Sequence, residues 1–303
     1  MWQLVRICRR FKPDVLVAHG FSEHIWGRYA GLLAKVPNLV HVEHNTRERY
    51  TRWRLRQARW LAKRTAAIVG CSEGVRRVLL ALGMPEERTI AIPNGIRLEP
   101  FADADEHPYT QRTPGIVMCA RFSKQKDHET LIRAIALLRE RGLRPSVMLA
   151  GGGKSRHMRP MQKLSRTLGV DDQVQFLGLC RTVPDLLKRH QIFVLSTRYE
   201  GMPLALVEGM AAGCAVVGSA VPGVQELIED GVNGRLTVAG DPAALADALA
   251  ELLQKPEMAA TLASAARKTA LEKHSLALMN QRYDALFTGL AARDPRDGLK
   301  PLN

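Results

Sequence analysis

The sequence lacks any run of about twenty consecutive apolar residues, so it predicts no membrane-spanning helix. Charges interrupt the N-terminal stretch MWQLVRICRRFKPDVLV, which argues against a signal peptide. Cysteine is scarce as well. The five cysteines show neither CxxC spacing nor the pairing typical of metal ligands. We therefore expect a cytoplasmic protein whose cysteines are reduced and structural.

Acidic residues are also in short supply, since 44 lysines and arginines face 30 aspartates and glutamates and leave a net charge of +14. Such an excess favours an anionic partner. Much of it lies in residues 47–64, where Trp53 and Trp60 are spaced to share one helical face. This segment predicts either a helix that lies on an anionic membrane surface or a solvated basic helix with inward-packed tryptophans. No nucleic-acid recognition motif accompanies the charge, so we expect no nucleic-acid partner.

Short runs rich in Val and Ile alternate with longer helical patterns along most of the 303 residues. This alternation predicts parallel sheets covered by helices on both faces, and hence an α/β protein of the doubly wound class. A stretch with three prolines and no periodicity interrupts the pattern near the end of the first third of the chain. The predicted organisation is an N-terminal Rossmann-like domain at 1–96, a linker at 97–114, a C-terminal domain with its helices at 115–290 and a tail at 291–303.

Two glutamates in the stretch RYEGMPLALVEGMAAG, Glu200 and Glu208, indicate a ligand site. Pro203 favours a helix start, and apolar residues continue to Gly213, so Glu200 falls in a loop and Glu208 inside the helix. The free backbone N–H groups of the first turn form an anion site between the two carboxylates. A nucleotide-diphosphate sugar has hydroxyls at both ends and phosphate in the middle, which fits this layout. Alternatively, the glutamates only decorate an exposed helix end.

Two further segments offer groups for a phosphate. The glycine-rich turn at Gly151 and Gly152 follows a predicted strand and brings backbone close to a ligand, although Met148 stands where a P-loop requires glycine. Arg121 also follows a strand, and Lys126 comes five residues later. Both side chains suit a diphosphate leaving group, and the alternative for their segment is a solvated turn.

An ordered series of motifs resembles one protein family. The motifs are IPNGI, ARFSKQKDHETLIRAIALL, LAGGG, VQFLG and VLSTRYEGMPLALVEGMAAGCAVVGSAVPGVQELIEDGVNG. In this order they are similar to the signatures of the retaining glycosyltransferases of GT-B fold called glycosyltransferase family 4, over residues 13–283. The resemblance implies two Rossmann-like domains that face each other across a cleft. Family members normally open with a strand and a glycine-rich loop before the equivalent of FKPDVLVAHG, so we expect an incomplete N-terminal domain.

The resemblance also implies roles for individual residues. Glu208 would bind the ribose hydroxyls and Glu200 the hydroxyls of the donor sugar, while Arg121 and Lys126 carry the diphosphate. The residues whose backbone N–H groups would help to position sugar and phosphate are Gly201, Met202 and Leu204.

Histidines of the N-terminal domain complete the implied site. In VEHNT, His44 matches the family histidine that approaches the donor sugar, and His19 lies at the end of a neighbouring strand, where it would line the acceptor side. Fixed positive groups suit a reaction in which a nucleotide diphosphate departs from an oxocarbenium-like sugar. The resemblance shows no DxD-like motif in the donor site, and no His/Cys cluster is present, so we expect neither a metal nor another cofactor.

The implied function is retaining transfer of a hexosyl group from a UDP-sugar or GDP-sugar to a cell-envelope glycan or lipid-linked acceptor. Such a reaction belongs to polysaccharide or lipopolysaccharide biosynthesis, and the basic segment predicts peripheral association with the inner face of the cytoplasmic membrane. The alternative is a non-catalytic or degenerate nucleotide-sugar-binding protein, or one half of a split enzyme.

Overall fold

The protein is known from a computed structural model, which describes residues 1–20, 23–47 and 50–292. The strands in this part of the chain are β1 (Val15–His19), β2 (Asn38–Glu43), β3 (Ala67–Gly70), β4 (Thr89–Ala91), β5 (Thr113–Cys119), β6 (Val147–Ala150), β7 (Val174–Gly178), β8 (His190–Leu195), β9 (Ala215–Ser219) and β10 (Arg235–Thr237). The α-helices are α1 (Trp2–Phe11), α2 (Glu23–Ala34), α3 (Arg52–Ala62), α4 (Glu73–Ala81), α5 (His128–Glu140), α6 (Ser155–Thr167), α7 (Val183–Lys188), α8 (Leu204–Ala211), α9 (Pro222–Gln225), α10 (Pro242–Gln254), α11 (Pro256–Lys273) and α12 (Leu276–Ala291).

The first of two compact units comprises the described residues of Met1–Gly95 and Ala277–Asn303. Its sheet is parallel, with the strand order β1-β2-β3-β4. Val40 and Val42 on β2 and Ile68 on β3 are fully buried, as expected for β-branched residues in a sheet that is covered on both faces. This arrangement confirms the α/β prediction for the first unit.

Helix α12 packs onto the sheet of this first unit. Its residues Leu290 and Tyr283 contact the buried cluster around Val40, and Asn38 Nδ2 donates to the carbonyl of Leu290 at 3.1 Å. The sequence pattern instead predicts a C-terminal domain at 115–290 that includes this helix. The structure differs because the apolar side of α12 covers strands that are far away in sequence, which a local pattern does not reveal.

The second unit, Ile96–Leu276, contains a six-stranded parallel sheet in the order β10-β9-β8-β5-β6-β7. Numbered within the unit, this is the Rossmann order, in which the chain runs outward from β5 in one direction and from β8 in the other. Ligands of such sheets bind beyond the carboxyl ends of the strands where the order reverses, here between β5 and β8. The loops after these two strands therefore mark the first place to look for a site.

The predicted linker at 97–114 is a structured part of the second unit. It forms short 3-10 helices at Glu99–Glu106 and Tyr109–Gln111, and it buries Phe101. Arg112 is also buried and donates from Nε to the carbonyl of His107 at 2.8 Å. The prolines thus separate short helical turns that pack on the unit, and they do not mark a free connection. The predicted tail lies outside the described residues from position 293 onward.

Candidate functional site

The loops that follow β5 and β8 are hydrogen-bonded to each other. Gln125 lies in a 3-10 turn (Lys124–Lys126) after β5, and its carbonyl accepts from the backbone N–H of Arg198 at 2.9 Å, with Thr197 Oγ1 3.0 Å away. Its side-chain amide donates to the carbonyl of Tyr199 at 2.8 Å. These contacts join the two loops at the point where the strand order reverses.

Lys126 and Glu200 form an ion pair between these loops. Lys126 Nζ lies 2.5 Å from Glu200 Oε1, and the Glu200 side chain is only 7% exposed. Thr197 Oγ1 donates to the same carboxylate oxygen at 2.8 Å. The structure thus brings together two predicted site residues that are 74 positions apart, and a third polar group fixes the carboxylate.

Glu208 lies on α8, the helix that begins directly after this loop. Its side chain is partly buried, and this burial raises the pKa of the carboxyl group above its ordinary value. Within the described part of the chain, the carboxylate makes no hydrogen bond or ion pair. Among the described residues, no side chain caps the N-terminus of α8, whose first residue is Leu204, one position after the predicted start at Pro203. Glu208 therefore offers an acceptor that the fold itself leaves unused.

Arg121 and the glycine-rich turn lie at the carboxyl ends of β5 and β6. Arg121 is exposed, and its side chain makes no hydrogen bond or ion pair with the described residues. A Cβ at Gly151 would collide with the carbonyl oxygen of Ala120, so only glycine lets this turn lie against the end of β5. Gly152 accepts from the N–H of Phe122 at 2.8 Å. Gly151 and Gly152 thus allow the two backbone segments to pack closely beside the Arg121 guanidinium.

The other predicted site residues lie just before α8 or at its first position. Gly201 and Met202 are buried, whereas the side chain of Leu204 is 40% exposed. A Cβ at Gly223, on α9, would collide with the carbonyl of Gly201. The loop is therefore held tightly against α9, and this contact fixes the direction in which α8 begins.

Two arginines hold the opposite end of α8. Arg112 Nη1 donates to the carbonyls of Ala212 and Gly213, each at 2.8 Å. Arg267 donates to the carbonyl of Ala211 and forms a bidentate ion pair with Asp105, with both N–O distances 2.9 Å. The C-terminal carbonyls of a helix lack intrahelical donors and carry its negative dipole end, so these guanidinium groups stabilise α8. They anchor the helix that bears Glu208.

His44 lies in the first unit, directly after β2, and its ring meets that of His19 at the end of β1. The distance from His19 Nδ1 to His44 Nε2 is 3.0 Å. Partial burial and the neighbouring His44 lower the pKa of His19. The structure thus brings these two predicted residues together within the first unit.

Four residues of the site were not identified from the sequence: Thr197, Gln125, Glu43 and Arg112. Glu43 is 1% exposed, and its Oε1 accepts from the backbone N–H groups of His44 and Asn45. A charged residue at the end of an apolar strand was the available signal for Glu43. The other three carry no such signal, because their partners lie on distant segments.

The described residues contain neither a metal-binding cluster nor a membrane-spanning helix. No group of three or more His, Cys, Asp or Glu side chains in residues 1–20, 23–47 and 50–292 has the arrangement of a metal site. Across the same residues, no helix combines the length and apolar character needed to cross a bilayer.

Comparison with known proteins agrees with this architecture. Residues 102–269 match the family described as Glycosyl transferases group 1, and residues 1–100 match Glycosyltransferase Family 4. The two Rossmann-like units define a protein of the GT-B fold class. The chain belongs to the glycosyl transferases group 1, as the motif series predicted, and is a glycosyltransferase.

Individual relatives support the same assignment. The chain is 28% identical to the "Putative glycosyltransferase EpsD" of Bacillus subtilis over 89% of its own length and 75% of the relative's. It is 26% identical to an Escherichia coli "UDP-Gal:alpha-D-GlcNAc-diphosphoundecaprenol alpha-1,3-galactosyltransferase", over 78% of this chain and 66% of that protein. Among solved structures, Anabaena HepE in complex with UDP-glucose shares the fold with a TM-score of 0.84 at 23% identity, covering 95% of this chain and 81% of that one.

Proposed function

We propose that the protein is a retaining hexosyltransferase that moves a sugar from a nucleotide-diphosphate sugar to a cell-envelope glycan or lipid-linked acceptor. The observation that carries this proposal is the arrangement around α8. A partly buried carboxylate without a partner, Glu208, lies on the helix, and a neutralised carboxylate, Glu200, lies before it. Carboxylates are acceptors only, so each can bind ligand hydroxyls. The uncapped helix N-terminus between them suits phosphate.

The cations at this edge of the sheet suit the departing group. In the proposed reaction, the bond from the anomeric carbon to the diphosphate oxygen breaks, a bond to an acceptor hydroxyl oxygen forms on the same face of the sugar, and the hydroxyl proton leaves with the diphosphate. Negative charge then grows on the diphosphate. Arg121 has all its donors available, and Lys126 Nζ has three, so the lysine can bind a phosphate oxygen while it remains paired with Glu200.

The relatives support the choice of substrates. The E. coli relative is named for transfer from UDP-Gal to a diphosphoundecaprenol-linked sugar, and HepE was solved with UDP-glucose. By this comparison we propose UDP as the donor nucleotide, with GDP as the alternative. We also propose His44 as the group that approaches the donor sugar, and we propose that the reaction uses no bound metal.

Calorimetric titration with UDP and with GDP tests the donor site. We expect one nucleotide to bind, and we expect Glu208→Gln to weaken that binding by about tenfold or more, because hydrogen bonds to a charged acceptor are strong. The matched control is Glu257→Gln, an exposed carboxylate in the first turn of α11. Equal affinities in all three proteins would refute the proposed role of Glu208. Binding without any sugar transfer would favour a non-catalytic nucleotide-sugar-binding protein.

We further propose that the first unit associates with an anionic membrane surface. Trp53 on α3 is 67% exposed, and Trp60 on the same helix is 46% exposed, so neither packs fully inward. The ring of Tyr29 on α2 lies 5.9 Å from that of Trp60, and the guanidinium of Arg64 lies 3.8 Å above the Trp60 ring. Exposed aromatic rings among arginines suit the headgroup region of anionic lipid.

Vesicle co-sedimentation tests this surface. We expect binding to vesicles that contain anionic phospholipid and little binding to neutral vesicles, because the attraction is electrostatic. Trp53→Ala should weaken that binding, whereas Val238→Ala should leave it unchanged, since Val238 is 66% exposed but lies in the second unit. Equal binding to both kinds of vesicle, or no effect of Trp53→Ala, would contradict the proposal.

A further inference from the structure

His19 and His44 occupy equivalent places at the ends of two neighbouring strands. The parallel register pairs His19 on β1 with Val42 on β2, and His44 follows Val42 by two positions. Side chains two positions apart along an extended chain point to the same side. The backbone thus brings both imidazoles to one face at the carboxyl edge of the sheet.

The two rings meet edge to edge in a line. Their planes differ by only 10°, and their centroids are 5.3 Å apart. The distance between the centroids equals the 3.0 Å between the facing nitrogens plus about two ring radii. Both nitrogens therefore lie on the line that joins the two centroids. A hydrogen bond of this kind needs one N–H donor and one bare nitrogen. The two facing nitrogens therefore share a single proton, and each ring sets the tautomer of the other.

Glu43 holds the backbone from which the His44 ring extends. Its carboxylate oxygen Oε1 accepts from the N–H of His44 at 2.8 Å and from the N–H of Asn45 at 3.1 Å. The other oxygen faces the interior and lies 3.6 Å from Nε2 of His41, a fully buried side chain on the same strand. Burial on this side prevents Glu43 from turning away toward solvent, so the first residues after β2 are fixed.

We propose that His19 and Glu43 are positioning residues for His44, with His19 orienting its ring and Glu43 its backbone. The catalytic part of this inference rests on the proposed function, in which His44 approaches the donor sugar. The hydrogen-bonded pair itself does not depend on that function. It can be measured in the free protein, so the two ideas are tested separately.

Nuclear magnetic resonance titration of the histidines tests the pair without any substrate. The titratable groups that act on or with His19 are His44 and His41 on the β2 side; on α2, Glu23 approaches the neighbouring Gly20 and Arg28 acts on His41. His44→Gln keeps a polar group near the Nε2 position but removes the second imidazole. The pKa of His19 should then rise toward its ordinary value and remain below it, since burial persists. An unchanged His19 titration in this variant would overturn the pair.

Kinetics of His19 variants test the positioning role. Asparagine places a polar atom near the position of Nδ1, so His19→Asn should retain most of kcat. His19→Phe removes the hydrogen bond and should lower kcat by about tenfold to a hundredfold, with KM for the donor nearly unchanged. Its pH profile should also differ from that of the wild type, which loss of stability alone would not produce. Equal kcat values and pH profiles for His19→Asn and His19→Phe would overturn the role of His19.

Glu43 has its own pair of variants. Glu43→Gln retains a carbonyl oxygen that accepts both N–H groups, so kcat should fall by less than about threefold. Glu43→Met removes the acceptor and should lower kcat by at least about tenfold. Because Glu43→Met leaves buried groups without partners, its folding is checked by circular dichroism, and the Gln variant decides the case if the Met variant does not fold. A large loss of kcat in correctly folded Glu43→Gln would show that the carboxylate charge, and not positioning, matters.

Discussion

The two units hold their candidate functional groups by different kinds of contact. In the second unit, opposite charges meet, as in the Lys126–Glu200 ion pair at 2.5 Å. In the first unit, imidazoles meet: His19 and His44 are hydrogen-bonded, and the buried His24 and His41 are stacked with centroids 4.0 Å apart. The second unit thus relies on opposite charges, whereas the first holds a buried pair of imidazoles, so the two units should respond differently to acid.

The buried imidazoles of the first unit are kept neutral by their surroundings. Burial, together with the neighbouring His41 and Arg28, lowers the pKa of His24 to about 2, and burial lowers the pKa of His41 well below its ordinary value. Arg28 lies 2.6 Å from His24 Nδ1, and a guanidinium only donates, so that nitrogen is bare and His24 carries its proton on Nε2. Nε2 lies 2.8 Å from the hydroxyl of Tyr50.

The largest effect is expected at the ion pair of the second unit. Lys126→Met removes a cation from the departing diphosphate and leaves Glu200 buried without its partner charge, so kcat should fall by roughly 10²–10³-fold. Lys124→Met is the matched control, because Lys124 lies in the same short turn but is exposed. Steady-state kinetics with a donor sugar compares them. Similar activity in both variants would remove Lys126 from the mechanism.

The next effect concerns stability of the second unit. Arg112→Ala would remove the guanidinium donors of the Ala212 and Gly213 carbonyls just after α8 and of the His107 carbonyl, which should destabilise the unit by about 3 kcal/mol. Arg112→Lys retains a charge but not the forked geometry, and should recover only part of the loss. Urea unfolding followed by far-ultraviolet circular dichroism measures both. An Arg112→Ala protein as stable as the wild type would contradict the proposed anchoring of α8.

Acid should weaken the first unit more than the second. A histidine whose folded pKa is lowered takes up its proton only when unfolded, so stability falls as pH drops below 6.5, by up to about 1.4 kcal/mol per pH unit for each residue. For His24 this loss continues toward pH 2, and His41 adds to it. In the second unit, burial lowers the pKa of His128 to about 4, so the loss of stability caused by this residue ends near that pH.

The tryptophans make this contrast measurable. All four lie in the first unit, at positions 2, 26, 53 and 60, so their fluorescence reports on that unit alone. Urea midpoints from fluorescence should fall more steeply between pH 7 and pH 5 than the midpoint of the remaining circular dichroism change. His24→Gln should reduce the slope. Parallel shifts of both midpoints with pH would show that the buried imidazoles do not distinguish the units.

The smallest expected effect is a change in stability at Glu208. Burial raises the pKa of this carboxyl in the folded protein, so its stabilising contribution is complete only below its ordinary pKa and is lost as pH rises through the raised value. At neutral pH the ionised group therefore opposes folding. Glu208→Gln should raise the melting temperature at pH 7, with no gain at pH 4, while Glu257→Gln should change neither. A lower melting temperature for Glu208→Gln at pH 7 would mean that the fold uses this carboxylate.

Much of the fold could be predicted from the sequence because most strands are apolar runs bounded by turn residues. β10 is an exception, because Arg235 and Thr237 leave only one apolar residue in this strand. The membership of α12 in the first unit was also missed, since it depends on packing against β2 rather than on the helix itself.

Parts of the candidate site could also be predicted, because some of its residues are close together in the sequence. Glu200 and Glu208 are close in sequence on a loop and a helix, so their spacing alone indicated a ligand site. By contrast, the Lys126–Glu200 pair and the His19–His44 pair join residues at or after the ends of separate strands, and a local sequence pattern does not show which strands are neighbours. The contact made by Glu43 was not predicted, because nothing in VEHNT shows that its carboxylate turns toward the backbone of the next residues.

A crystal structure with bound UDP or GDP, whichever binds in the titrations, tests the proposed donor site directly. We expect the ribose hydroxyls within hydrogen-bond distance of the Glu208 carboxylate and the diphosphate near Lys126 and the N-terminus of α8. A nucleotide bound elsewhere, for example in the pocket lined by Lys124, Arg156 and His157, with Glu208 free of contacts, would contradict it.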